Sequence, residues 1–483
     1  MKLAKLLLVV VFVFAMSAIA YAETQSVKVS GDIAERAFAR NASNLQENDS
    51  VAAGAAVSNS WATFLQSTAE VQVDADMTDN VSTTVRLLNQ RVWGDSNYTS
   101  TGDYGRAISP NGRIYTRTTS GTDSNAVNVD LAYVELKEFL YSPLTLKIGR
   151  QDLWFGKGFI IGANQQDPKN TLYAPEYTAM NSFDAVRATL DYNPWTIDGV
   201  YAKIAENGLR ADDDVNLWGI NTGYTFDSYN AEAEAYWWYK QSRNPNDTNA
   251  GISLNGSGKE TNDVHTIGAR GSFDPIEDWT LGLEGAYQFG QYMLGGTVAT
   301  DPTQVHERDR SAFAIDASAE CRYFQNNFAW KPVLGTEYIL YSGEDKMGEL
   351  TGAKVGKYQG WDPMFRGKFD TAIREWQNVY YTTAQGSSPA YTNEHQVLVW
   401  GSVQPIDSVK VKATYGHFWL YKRYTTAAGN RNVGDEVDIN TTWDYTEDVQ
   451  FGLLAGWFIP GSHFSSPQDD VATDLVGTVT VNF

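Results

Sequence analysis

The sequence predicts an all-β fold, an antiparallel transmembrane β-barrel of about 18 strands with short periplasmic turns and long extracellular loops. Three observations carry that expectation. Segments that alternate apolar and polar residues recur along the whole chain after Ala22. The connections between them alternate between turn-sized and long. Aromatic residues make up 13% of a chain that is only 42% hydrophobic, as a barrel with aromatic girdles requires. No apolar run after residue 22 is long enough for a spanning helix, so a membrane location demands a closed barrel that pairs its own backbone groups.

Taken in order, Met1 to Ala22 reads as a secretory signal peptide. Lys2 and Lys5 precede the apolar run Leu6 to Ala20, and Ala20-Tyr21-Ala22 is a small-x-small cleavage site ahead of Glu23. Residues 23–483 form the barrel. Val27 to Phe38 and Trp61 to Ala75 are its first strands, and Met77-Thr78-Asp79 turns the chain into Val81 to Val92. A polar stretch from Trp93 to Ala126 is a loop, Val127 to Phe139 a strand, and Tyr141-Ser142-Pro143 a tight turn. Leu144 opens a strand, Tyr192 ends the next, and the Gly-rich, aromatic interval Gly156 to Met180 between them suits a loop at the mouth or in the lumen. Strands follow at Trp195 to Lys203, Asn216 to Phe226, Ala231 to Lys240, Asp263 to Phe273, Trp279 to Tyr292, Arg310 to Tyr323 and Phe328 to Tyr341. The longest loop, Ser342 to Glu394, contains Phe369 to Trp376, a candidate short helix. His395 to Val403, Ser408 to Leu420, Gly434 to Trp443, Val449 to Ile459 and Asp470 to Phe483 complete the set. The last strand carries Leu475, Gly477, Val479, Val481 and Phe483 on one face, and its terminal aromatic resembles that of proteins inserted into bacterial outer membranes.

One stretch has a recognisable signature. Gly149-Arg150-Gln151, then Gly156-Lys157-Gly158-Phe159-Ile160-Ile161-Gly162, then Phe183-Asp184-Ala185-Val186-Arg187 resembles the core of the alginate export family of outer-membrane porins. The resemblance implies a conduit lined by positive side chains for a polyuronate. Arg86, Arg187, Arg270 and Arg150 match that role by residue type, whereas Glu232, Glu234, Glu284 and Glu337 depart from it.

Alternation assigns the faces. Trp279, Leu281, Leu283, Tyr287 and Phe289 face outward, with Thr280, Gly282, Glu284, Ala286 and Gln288 inward. Trp195, Trp279, Phe328 and Phe451 mark one girdle, and Trp237, Tyr239, Trp419 and Trp457 the other. A Lys or Arg on the lipid face costs about 2–4 kcal/mol at the midplane, so strand charges belong in the lumen. This places Arg86, Lys147, Arg187, Arg270, Glu232, Glu234, Glu284, Glu337, Lys410 and Lys412 there, together with Glu135, Lys137, Glu436 and Asp438. Strict alternation aims Arg150 outward, and a bulge at Gly149 is expected to return it to the lumen. Opposed charged rows can act as a selectivity filter; the plain alternative is a lumen tied together by paired charges.

The function expected is passive passage of a hydrophilic solute or oligosaccharide, anionic ones included. Alternatives are a general or cation-preferring porin, which the net charge of −21 favours, and a scaffold barrel around a partner protein. That charge argues against nucleic acid. Lipid, lipopolysaccharide and the solute are the expected partners of a monomer. No cofactor and no metal are expected; one cysteine, Cys321, forms neither a disulfide nor a cysteine metal site, and the acidic patch Asp212-Asp213-Asp214 reads as solvated. Of the five histidines, His265, His306, His395, His417 and His463, none lies in a nucleophile or zinc motif, so catalysis is not expected.

Overall fold

In the computed structural model the chain closes into one 18-stranded antiparallel barrel. The structure describes residues 26–42, 45, 50–51, 55–56, 61–93, 127–166, 172–206, 214–243, 262–293, 307–325, 327–344, 356–375, 391–423, 430–464 and 469–483. The signal-peptide segment, Asp212, Asp213, His306, Trp376 and nearly all of the loop after Trp93 lie outside these residues.

The barrel strands are β1 (Ser26–Asn41), β2 (Ala62–Thr78), β3 (Val81–Val92), β4 (Asn128–Leu136), β5 (Leu144–Gln151), β6 (Phe183–Tyr192), β7 (Trp195–Ala205), β8 (Val215–Thr225) and β9 (Glu232–Ser242). The remainder are β10 (Asn262–Ile276), β11 (Trp279–Met293), β12 (Glu307–Cys321), β13 (Val333–Tyr341), β14 (Glu394–Ile406), β15 (Val409–Leu420), β16 (Asn432–Asp444), β17 (Val449–Pro460) and β18 (Ala472–Asn482). Each pairs with its sequence neighbours, and β1 pairs with β18 from Asp32↔Asn482 to Asn41↔Thr473, which removes both sheet edges. Phe483 exchanges backbone hydrogen bonds with Gly31 at 2.9 and 3.0 Å and extends that seam.

Two element boundaries differ from the sequence reading. The first two strands, faint in alternation, are the longest at 16 and 17 residues, because each pairs along its length with the other. The strand expected from Phe328 begins only at Val333: the described residues 324–325 and 327–331 curl through successive backbone turns, and Pro332 has no N–H to give to a ladder.

The outer face carries an apolar band that includes Val71, Val85, Ile148, Ile220, Ile267, Leu283, Val399 and Leu453. Aromatics stack at both margins. Tyr239, His265 and Phe289 form a column with ring centroids 4.2 and 4.9 Å apart near the loop side, while Trp195 packs on Tyr224 at 4.7 Å near the turns. Cys321 is buried at the end of β12.

Candidate functional site: a plugged and chambered lumen

The loop inside the signature stretch, residues 152–182, and the distant loop of residues 342–393 fold into the barrel, and their described parts bind each other. Phe365 donates its N–H to the Ile160 carbonyl at 2.9 Å, and Gly162 and Ala163 return hydrogen bonds to the Phe365 carbonyl at 2.8 and 3.0 Å. Gly367 donates to the Gly158 carbonyl at 2.9 Å. Ile161 and Phe365 thereby form a parallel bridge. The two backbones run so close that a Cβ on Gly162 would lie 2.8 Å from Gly367, and one on Gly367 would lie 2.6 Å from Gly162. This is the physical need behind Gly162; Gly156 and Gly158 instead take positive φ values of +54° and +74°.

Around this zipper lies an apolar core. Leu153, Phe159, Ile160 and Ile161 from one loop and Trp361, Met364 and Phe365 from the other are buried. They pack with Phe183, Trp238, Ile339, Phe418 and Phe458 on the inner wall of the loop-side half. Each such side chain contributes roughly 1.5–3 kcal/mol by leaving water. A polar lumen was the expectation; here the inner wall is partly apolar because it seats a plug. A trace of this was present in the sequence. Tyr236-Trp237-Trp238-Tyr239, Phe418-Trp419-Leu420 and Trp457-Phe458-Ile459 are apolar on both faces, one for lipid and one for the plug.

Polar wall residues hold the plug in place. On the 342–393 loop, Asp362 takes a 2.6 Å hydrogen bond from Lys240, and its backbone exchanges two 2.8 Å bonds with the Gln288 amide. Against the cost of burial, Lys240 and Arg310 hold the Asp362 carboxyl below its usual range. Glu436 accepts the N–H groups of Ile373 and Arg374 at 2.6 and 2.7 Å, and Asp438 accepts that of Ala372 at 3.0 Å. Arg374 pairs with Glu394. Within the expected helix of 369–376, only residues 374–375 are helical among those described. The 152–182 loop is held by Gln90 on Thr178 (3.0 Å), by Gln66 on the Ala174 backbone (3.2 Å), and by Glu176, which pairs with Arg40 at the barrel seam.

Beneath the plug, toward the turns, lies a chamber of about 270 Å3. Three lysines from three elements line it: Lys157 and Lys368 from the two loops and Lys412 from β15. Lys157 Nζ donates to Ser318 Oγ at 2.6 Å and lies 3.7 Å from Glu337. Lys368 pairs with Asp370, which also meets Arg366 at 2.5 Å. Although burial disfavours its charge, Asp370 and Glu337 hold the Lys368 ammonium above its usual range. Burial, then the neighbouring Asp370, push the Glu375 carboxyl up to about 8 despite Arg366. Lys412 Nζ sits over the Trp400 ring, 4.8 Å from its centroid.

The structure sorts the charged residues singled out from the sequence into several groups. Arg86 donates to Asp130 at 2.7 Å and lies 3.4 Å from Glu70; Lys147 lies 3.1 Å from Glu135; Arg187 lies 2.7 Å from Asp198. Arg270 pairs with both Glu232 and Glu234. Glu284 is buried and accepts the Tyr236 hydroxyl at 2.8 Å. These residues tie neighbouring strands together. Glu337 and Lys412 line the chamber, whereas Lys410, exposed two positions earlier on β15, is not among its lining residues; among the described residues neither lysine makes an ion pair with a carboxylate. Lys137 lies past the end of β4 in an exposed turn, because the strand stops at Leu136, and so it does not line the lumen.

Arg150 is a correction. The ladder runs through Gly149 without a register shift, so Arg150 keeps the outward register of Ile148 and Val186, opposite Asp184. It reaches Asp184 at 3.4 Å and Gln166 at 3.2 Å. Gly149 answers a different need: at φ +126° a Cβ there would lie 2.2 Å from the Ala132 carbonyl oxygen.

A family model described as alginate export matches residues 41–478. Among solved structures, a BenF-like porin from Pseudomonas fluorescens Pf-5 is similar at 10% identity and a TM-score of 0.52, covering 95% of this chain and 100% of that one. OccAB4 of Acinetobacter baumannii is similar at 12% identity and a TM-score of 0.51, covering 96% and 100%. OccK2 (OpdF) of Pseudomonas aeruginosa, solved in complex with glucuronate, is similar at 10% identity and a TM-score of 0.51, covering 95% and 99%. At these identities the likeness is one of fold. No curated protein matches the chain by sequence.

Proposed function

This chain belongs to the alginate export family and is a porin-like barrel of the outer membrane, and we propose that it is a passive channel for small anionic hydrophilic solutes, acidic saccharides among them. The observation that carries this reading is the asymmetry of the lumen charges. Most wall cations are consumed by carboxylates on adjacent strands, and the two chamber lysines brought in by the loops, Lys157 and Lys368, are paired as well, whereas Lys412 in the same chamber makes no ion pair among the described residues. A cation without a partner in a confined aqueous space lowers the energy of an entering anion more than one already neutralised. The carbohydrate acid seen with OccK2 is consistent in kind. The solute gradient drives passage, and the family and fold are those of channels rather than enzymes.

The test is single-channel conductance of the refolded chain in a planar bilayer under a salt gradient. Anion preference that falls in Lys412→Gln supports the reading. Cation preference moves the assignment to a general porin, as the charge of −21 allows. The apolar plug favours a second reading, a barrel closed at rest or serving as a scaffold. Absence of any conductance in the wild type, with conductance appearing once the plug is disrupted, selects the closed barrel.

A further inference from the structure

We propose that Trp400 and Lys412 form a recognition subsite in the chamber for a ring-bearing carboxylate, the ring lying on the indole face and the carboxylate on the ammonium. This deepens the anion-channel reading and rests on it. Trp400 lies on the lumen face of β14 opposite Gly335 of β13. A Cβ at Gly335 would lie 2.2 Å from the indole, so the ring is laid flat against the wall with its other face toward the chamber. Lys412 covers that face, and among the described residues it makes no ion pair. A lone ammonium over an indole is weakly held where water reaches it. A charge-assisted hydrogen bond to a carboxylate is stronger and directional. An entering acid with a flat ring therefore exchanges one contact for two: Lys412 moves off the indole onto the carboxylate, and the ring takes its place on the indole, beside Leu398.

The chamber sets the size. About 270 Å3 accommodates one substituted six-membered ring against the indole. Around it, Ser272, Ser318 and Thr414 offer hydroxyls to ring substituents, whereas the Thr280 hydroxyl is held by Asp274 and Arg322. An open-chain acid of equal charge gains the ammonium but not the indole, so Trp400 is the residue that separates the two.

The experiment is block of single-channel current by benzoate, glucuronate and open-chain gluconate. Benzoate or glucuronate is expected to block the wild type about tenfold more tightly than gluconate. Trp400→Leu, which keeps apolar bulk, removes that preference and leaves gluconate block unchanged; Trp400→Phe retains most of the preference. Lys412→Gln weakens block by all three. Block by benzoate alone identifies an aromatic acid, block by glucuronate alone a sugar acid, and either supports the subsite. Equal block by ring and open-chain acids, or equal loss of both in Trp400→Leu, overturns it while leaving an anion channel intact. Absence of block by any acid, with cation preference, overturns the channel reading itself. Migration of each variant as a heat-modifiable barrel on a denaturing gel separates these outcomes from misfolding.

Discussion

The two halves of this lumen use the same kinds of side chain for opposite ends. In the loop-side half, buried polar and charged wall residues such as Gln66, Gln90, Lys240, Gln288 and Glu436 are spent on backbone and side-chain groups of two inserted loops. In the turn-side half, Lys412 faces a chamber and makes no ion pair among the described residues. A charge that binds protein cannot also select a solute. The lesson is that a row of lumen charges becomes a filter only where the protein leaves it unpaired.

The largest expected effect comes from breaking the zipper that creates the difference. Gly162→Val places side-chain atoms where the Gly367 backbone lies and unseats both loops. Conductance is expected to rise several-fold while the heat-modifiable barrel persists, read in bilayers and on gels. Unchanged conductance, with the zipper segments still protected from protease, defeats the plug.

A smaller effect is expected at the anchor. Glu436→Gln weakens the acceptor of two backbone N–H groups. Hydrogen bonds to charged groups contribute about 1.5–3 kcal/mol, so brief openings should become roughly tenfold or more frequent. Single-channel dwell times report this directly.

The pH dependence is smaller again. Burial and Asp370 raise the Glu375 carboxyl to about 8 in the docked loop, so the docked state favours the protonated form. Its contribution to docking is complete below the ordinary carboxylate range and is lost as pH rises through about 8. Open probability is therefore expected to increase between about pH 4.5 and about pH 8 in the wild type. Glu375→Gln should flatten that increase; an equally steep profile in the variant assigns the dependence elsewhere.

The smallest effect sharpens the contrast between paired and unpaired charge. Arg187→Gln combined with Asp198→Asn deletes a paired set of no net charge. The reversal potential should stay where it is, whereas Lys410→Gln moves it by a few millivolts toward cations. Equal shifts in the two would dissolve the distinction between the halves.

Much of the fold was legible because its signal is local. Alternation along Trp279 to Met293 distinguishes outward Leu283 and Phe289 from inward Glu284 and Gln288 without reference to any other strand. The family signature was legible too, yet its reason was not. The interval from Gly156 reads as a loop at the mouth or in the lumen, but the need for Gly162 shows only when Gly367, some 200 residues later, is laid against it. Arg150 was misplaced because glycine in a strand suggests a bulge, whereas here it relieves a collision with the Ala132 carbonyl of the neighbouring strand.

By itself the sequence determined the barrel, a strand number of about 18, its outer-membrane address and the lipid face of strands such as Trp279 to Met293, because side-chain period and turn residues act within a few positions. Only the tertiary structure decided that two loops enter the lumen, that Glu436 and Lys240 hold loops, and that Lys412 is left over Trp400. Those outcomes depend on which distant groups reach one another first and neutralise each other's charge, and no local pattern records it.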